Sequence, residues 1–147
     1  MTDFDRPLNP RGERDAPDMA ARLVASGLVP TLMISSPAAR ARATATVFAT
    51  AFGYPPQRIR FADDAYLASP GELLKVLHRL GGRARHVMLF GHNPGISDLA
   101  VRLAGDDSLG DMPTCAVTSL LVPLEDWGGL QDGSARLDFH DFPKSTR

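Results

Sequence analysis

A single cysteine, Cys115, stands among the 147 residues, so no internal disulfide can form and a cross-linked secreted scaffold is excluded. Charge of one sign is missing as well. Sixteen Lys and Arg meet seventeen Asp and Glu for a net charge of -1, which leaves no overall basic field to hold nucleic acid or an anionic membrane. No apolar run approaches the ~18–20 residues of a membrane span. The start Met1-Thr2-Asp3-Phe4-Asp5 is acidic and lacks the basic head and apolar stretch of a signal peptide. The four histidines are scattered and none forms a His-x-x-x-His pair, so neither a metal site nor a cofactor is expected. With no internal repeat, low-complexity tract or linker, the chain reads as one cytoplasmic domain over residues 1–147. Nothing in it fixes an oligomeric state.

What is present is ordinary for a globular domain: 44% hydrophobic and 22% charged residues. Four helix starts share one grammar. Asn9-Pro10, Ser36-Pro37, Ser69-Pro70 and Asn93-Pro94 each place a capping side chain before a proline suited to the first helical position. Behind them run apolar faces, such as Ala16, Met19, Ala20 and Leu23, or Leu73, Val76, Leu77 and Leu80, closed by Gly27, Gly53, Gly81-Gly82 and Gly105. Pro17 is expected to kink the first helix. Leu32-Met33-Ile34 and Val87-Met88-Leu89-Phe90 are unbroken apolar runs that suit strands covered on both faces. Residues 116–122 and 135–139 suggest two more strands around Trp127-Gly128-Gly129 and Asp132-Gly133. Alternating strands and helices imply an α/β sandwich with a mixed sheet.

Chemistry is expected where strand ends meet helix starts, since unpaired N–H groups and the helix dipole favour an anion there. At Ile34-Ser35-Ser36-Pro37-Ala38-Ala39-Arg40 a guanidinium falls in the first turns of a helix, able to make a bidentate contact to phosphate. At Phe90-Gly91-His92-Asn93-Pro94-Gly95 an imidazole sits in a tight turn. Taken singly, Arg40 reads more readily as a solvated surface charge, whereas His92, held in a tight strand-to-helix turn, reads about equally as functional or not. Cys115 lacks the arginine of a Cys-x5-Arg phosphatase, because Leu121 stands there. Asp3-Phe4-Asp5 follows no apolar strand and reads as a solvated acidic terminus rather than an aspartate nucleophile pair.

Leu8, Asn9, Arg11 and Gly12, then Ser35-Ser36-Pro37-x-x-Arg40-Ala41-x-x-Thr44-Ala45, then Gly91-His92-Asn93-Pro94-Gly95, resemble in order and spacing the motifs of SixA-type phosphohistidine phosphatases of the histidine phosphatase superfamily. Tyr66-Leu67-Ala68, Pro113-Thr114-Cys115-Ala116 and Phe142-Pro143-Lys144 extend the similarity over nearly the whole chain. The resemblance implies a three-layer α/β/α sandwich with a mixed, mainly parallel sheet, phosphoglycerate-mutase-like. It also implies phosphoryl transfer without a metal, in which one histidine attacks phosphorus while a second histidine and two arginines hold the group. Arg40 and His92 would be catalytic, and Arg6 and Asn93 would join them in binding phosphate. The partner would be a phosphorylated protein carrying phosphohistidine, or a small phosphate ester.

The family's first strand ends in Arg-His-Gly or Arg-His-Ala and supplies the nucleophile, whereas here Arg6 follows Met1 within a few residues. Arg85-His86 precedes its apolar run and lies at the wrong end of a strand; His78 and His140 fit surface or packing roles. No separate acid stands out, although Asp63, Asp64 and Glu72 lie where relatives outside the SixA branch supply one. The sequence is therefore expected to be an N-terminally shortened version of an active enzyme, its sheet left with exposed edges and apolar surface. The alternative is a non-catalytic phosphate- or phosphohistidine-binding protein.

Overall fold

Asn9 and Ser69 act as caps, as their positions dictate. Asn9 accepts from the Gly12 amide at 2.8 Å and opens α1 (Pro10–Ala25), while Ser69 and Glu72 form a reciprocal capping box at the head of α3 (Pro70–Leu80). α1 continues through Pro17. The other two starts depart from the expected grammar in this computed structural model, which describes residues 1–106, 113 and 115–143. α2 (Ala39–Phe52) has Ala38 at its cap position, and the Ser36 hydroxyl accepts from the Ala38 N–H at 3.2 Å while also bonding His92. α4 (Gly95–Ala104) follows a cis Asn93–Pro94 bond with Pro94 as its cap, and the Asn93 side chain accepts from the Ser97 hydroxyl at 2.6 Å. Thr114 and Lys144, which carry part of the resemblance, lie outside the described residues.

Three parallel strands run in the order β2 (Arg60–Phe61), β1 (Leu32–Ser35), β3 (Val87–Phe90), with Ser35 level with both Phe61 and Phe90. A two-residue strand such as β2 is too short to show a period in sequence. β4 (Val117–Leu121) and β5 (Arg136–Asp141) form a separate antiparallel pair. Successive side chains of a strand face opposite ways, and β1 shows it: Met33 enters the core of α1 and α2, and Ile34 that of α3 and α4. The three-layer, mainly parallel α/β arrangement agrees with the expectation.

β3 departs in one respect from the buried strand that its apolar run suggests. All four of its residues are only partly covered, whereas Met33 and Ile34 in β1 are fully buried. Among the described residues no strand pairs with the second edge of β3 or of β4. Between them lies a cavity of about 750 Å³, walled by Leu89 and Phe90 on one side, Val117 and Leu120 on the other, and Phe48 and Leu99 from the two helical layers. At a rise of about 3.3 Å, a strand spacing of about 4.8 Å and a layer depth of about 10 Å, one strand residue fills roughly 160 Å³. The void thus matches about five residues, close to the 4 of β3 and the 5 of β4.

The far wall is tethered at both ends. Arg22 of α1 pairs with the buried Asp141 at 3.3 Å and donates to the Phe142 and Pro143 carbonyls. Ala135 N–H donates to Leu103 O at 2.9 Å, and the Trp127 indole N–H to Ala84 O at 2.7 Å. These links hold the pair apart from β3 without closing the gap.

One close approach positions the site. A Cβ at Gly95 would run into the Ala68 carbonyl oxygen, so only glycine lets the segment carrying Tyr66 lie against the head of α4. Gly95→Ala is expected to lower stability by about 2 kcal/mol, and Ser69→Ala by about 1 kcal/mol, both read from the urea midpoint at constant slope.

Candidate active site

Because β1 and β3 end side by side, with Ser36 N–H donating to Phe90 O at 2.9 Å, the turns that follow them are neighbours. His92 Nε2 and Ser36 Oγ share a hydrogen bond of 2.7 Å, and His92 is only 8% exposed. Arg40, the second residue of α2, lies at the same end of the sheet. It donates through Nη1 to the Asp3 carbonyl at 2.9 Å and through Nη2 to the Asp3 carboxylate at 3.2 Å. The Tyr66 hydroxyl donates to that same carboxylate oxygen, and the Tyr66 ring meets His92 edge-on at 5.5 Å and Phe4 at 5.1 Å. Ser36, His92, Tyr66, Asp3 and Arg40 thus form one continuous cluster.

Arg6 is exposed and, with Arg40, Asp3 and Asn9, lines a cleft of about 350 Å³. Asn93 is also exposed, its oxygen engaged by Ser97. Asp3 is solvent-exposed, as its terminal position suggests, but it is paired rather than free. Thr2 Oγ1 donates to Asp5 at 3.0 Å, Arg6 N–H to Asp3 O at 3.2 Å, and Phe4 O receives the Ala39 N–H at 2.9 Å. This folded turn docks on the head of α2 and carries Asp3 to the guanidinium. Leu67 adopts a φ of 48°, a costly conformation for a branched side chain that turns the chain sharply just after Tyr66.

Electrostatics follow from this packing. Burial, and then the nearby Arg40 guanidinium, hold the His92 imidazole below its ordinary pKa of 6.5 against a smaller opposing pull from Asp3. The Tyr66 hydrogen bond, ahead of Arg40 and Arg6, keeps the Asp3 carboxyl ionised below the usual carboxylate range. At neutral pH the cluster therefore presents a neutral imidazole, a guanidinium and an exposed carboxylate paired with it.

Residues 2–62 match the model of the histidine phosphatase superfamily, branch 1. An uncharacterized protein of Mycobacterium tuberculosis is 31% identical over 95% of this chain and 91% of its own length. The crystal structure of a SixA protein of Agrobacterium tumefaciens, named as a candidate phosphohistidine phosphatase, superposes with a TM-score of 0.80 at 28% identity, over 97% of this chain and 87% of that one. The chain belongs to the histidine phosphatase superfamily. A further structure, of the protein histidine phosphatase SixA complexed with tungstate, has a TM-score of 0.80 at 20% identity over 97% and 87% of the two chains, a likeness of fold.

Within this superfamily fold several other titratable groups are committed elsewhere. Asp64 makes two hydrogen bonds to Arg79, at 2.8 and 2.9 Å, and Glu72 serves its capping box. His86 lies at the start of β3, where its carbonyl accepts from Thr31, at the opposite end of the strand from His92. His78 meets Leu130 O at 2.6 Å, and His140 meets Thr118 at 2.8 Å. Among the described residues, no three His, Cys, Asp or Glu side chains gather as metal ligands would, and no helix is long and apolar enough to cross a membrane.

Ser36, Tyr66 and Asp3 are site neighbours that sequence reasoning did not assign to the cluster. Ser-Pro reads as a helix cap and an acidic start reads as solvent-facing; only the Tyr66-Leu67-Ala68 similarity pointed toward the site. Titrating the His92 ring protons by NMR tests the electrostatics. Arg40→Ala is expected to raise the imidazole pKa, and Asp3→Asn to lower it. Because the folded value is depressed, the unfolded chain binds the proton first, so His92 subtracts stability as pH falls from 6.5 toward the folded pKa. That slope is expected to vanish in His92→Gln.

Proposed function

We propose that the chain is the body of a phosphatase that removes phosphate from phosphohistidine on a protein through a phosphohistidine enzyme intermediate. The attacking histidine comes from a segment outside these 147 residues. The observation that carries this reading is the coincidence of two features. Arg40 and His92 converge at one end of the β1–β3 pair, and the strand-sized cavity runs beside β3 toward that same end. An apolar strand filling the gap parallel to β3 delivers its C-terminal residue beside Ser36, His92 and Arg40.

The chemistry then follows. A neutral imidazole nitrogen of the delivered histidine attacks phosphorus in line, the bond from phosphorus to the substrate nitrogen breaks, and the leaving imidazole takes up a proton from solvent water. Water next attacks the phosphoenzyme, releasing inorganic phosphate and freeing the histidine. Arg40 and Arg6 offset charge on the equatorial oxygens, and His92 donates a hydrogen bond to one of them with Asn93 at the rim. The substrate's phosphoryl-bearing ring would enter past exposed Arg6, from the solvent side.

A second reading has an observation in its favour. Besides His92, the histidines of the described residues lie at β3's far end, on α3 and on β5, so the cluster holds no second histidine to attack phosphorus. On that reading the protein binds phosphate or phosphohistidine without turnover.

Translation of the upstream DNA and a turnover assay on a phosphohistidine protein separate the two. The expected result is an in-frame apolar segment ending in Arg-His, activity only in the chain that carries it, and a higher melting temperature from filling the gap. In that extended chain Arg40→Ala and His92→Ala are expected to lower kcat by about 100-fold or more. Full activity in either variant rejects the assignment, and absence of the segment leaves the binding reading.

A further inference from the structure

Arg40 is held end-on. Asp3 takes one hydrogen bond from each of its terminal nitrogens, the backbone carbonyl accepting from Nη1 and the carboxylate from Nη2. A guanidinium carries five N–H donors in a rigid fork, so this grip leaves the Nε–H and one hydrogen on each terminal nitrogen. We infer that Asp3 is a positioning residue of the oxyanion site. It fixes the terminal edge of Arg40 so that the Nε edge faces the phosphoryl oxygens, and Tyr66 locks Asp3 in that pose while supporting His92. The inference rests on the reading of the site given above and deepens it.

A long arginine side chain has many rotamers, and a donor aimed at developing charge contributes most when its geometry is fixed beforehand. α2 itself offers nothing to fix it: among the described residues, Asp3 is the one side-chain partner Arg40 has. Asp3 in turn is presented by a turn that is hydrogen-bonded internally and attached, through Phe4 O and Ala39 N–H, to the first residue of the helix that carries Arg40. Holder and held are thus joined over a short path. Tyr66 adds a second restraint, its hydroxyl on the carboxylate and its ring between Phe4 and His92. The imidazole and the guanidinium, brought by different β-to-α turns, therefore share one support.

The rival is that Asp3 merely competes with phosphate for Arg40. Two substitutions separate charge from geometry. Asp3→Asn removes the charge and keeps a side-chain oxygen for Arg40 and Tyr66, whereas Asp3→Ala removes both. Binding of inorganic phosphate to the 147-residue chain is measured by calorimetry, with thermal melts to confirm folding.

Asp3→Asn is expected to bind phosphate several-fold more tightly than the unaltered chain, because a negative charge beside the anion is gone. Asp3→Ala is expected to bind about tenfold more weakly than Asp3→Asn, the loss of one charge-assisted contact. The Arg40 Nε–H resonance should be sharp and slowly exchanging in the unaltered chain and in Asp3→Asn, and averaged in Asp3→Ala. Tyr66→Phe, which keeps the ring and frees Asp3, should broaden that resonance too. Equal or tighter binding by Asp3→Ala than by Asp3→Asn overturns the positioning role and leaves Asp3 a competitor. Loss of phosphate binding in Arg40→Ala alongside such equality means that only this inference fails. If Arg40→Ala binds as the unaltered chain does, or neither binds, the phosphate-site reading fails and this one falls with it.

Discussion

Parallel pairing of β1 with β3 sets Ser35 level with Phe90, and the Ser36 amide closes the ladder on the Phe90 carbonyl. From that point the two chains diverge into separate turns, one leading to Arg40 and the other to His92. Their side chains meet because the strands end together. A slip of one residue would exchange Met33 and Ile34 between two filled cores, a reversal that burial on both faces forbids. The packing of ordinary apolar residues thus enforces the register on which a polar site depends. Ser36 marks the link, with its amide in the ladder and its hydroxyl on His92.

The same sheet is interrupted on the other side of β3. Apolar residues of β3 and β4 line a common cavity, and residues of helices from both layers border it. Unpaired strand edges and half-covered apolar side chains are a liability in a folded protein. Here the gap borders Phe90, whose carbonyl receives the Ser36 amide at the edge of the cluster. On the function proposed above, one apolar strand in this gap supplies both the unmade ladder and the attacking histidine, so the gap bears on function as much as on stability.

Within the cluster, charge is managed locally. Burial and Arg40 keep His92 neutral, while Tyr66 and Arg40 keep Asp3 ionised. A guanidinium balanced by a fixed carboxylate is less demanding to hold near a buried imidazole than one left alone. The cost is carried by the backbone around Tyr66, where Leu67 takes a positive φ and Ala68 lies against a glycine that has no Cβ to oppose it.

Sequence by itself determined the elements. Asn9 and the Ser69–Glu72 box cap their helices, glycines end them, and the apolar runs of 32–34 and 87–90 become adjacent strands, since caps, left-handed turns and apolar periodicity act over a few residues. Motif order also pointed to the family. Tertiary structure alone decided that the Ser36 hydroxyl bonds His92, that Asp3 folds back onto Arg40, and that Tyr66 joins them, because each choice is settled by a partner dozens of residues away. Local pattern cannot encode those contacts; they arise only once the β1–β3 register has brought the ends of distant segments into hydrogen-bonding range.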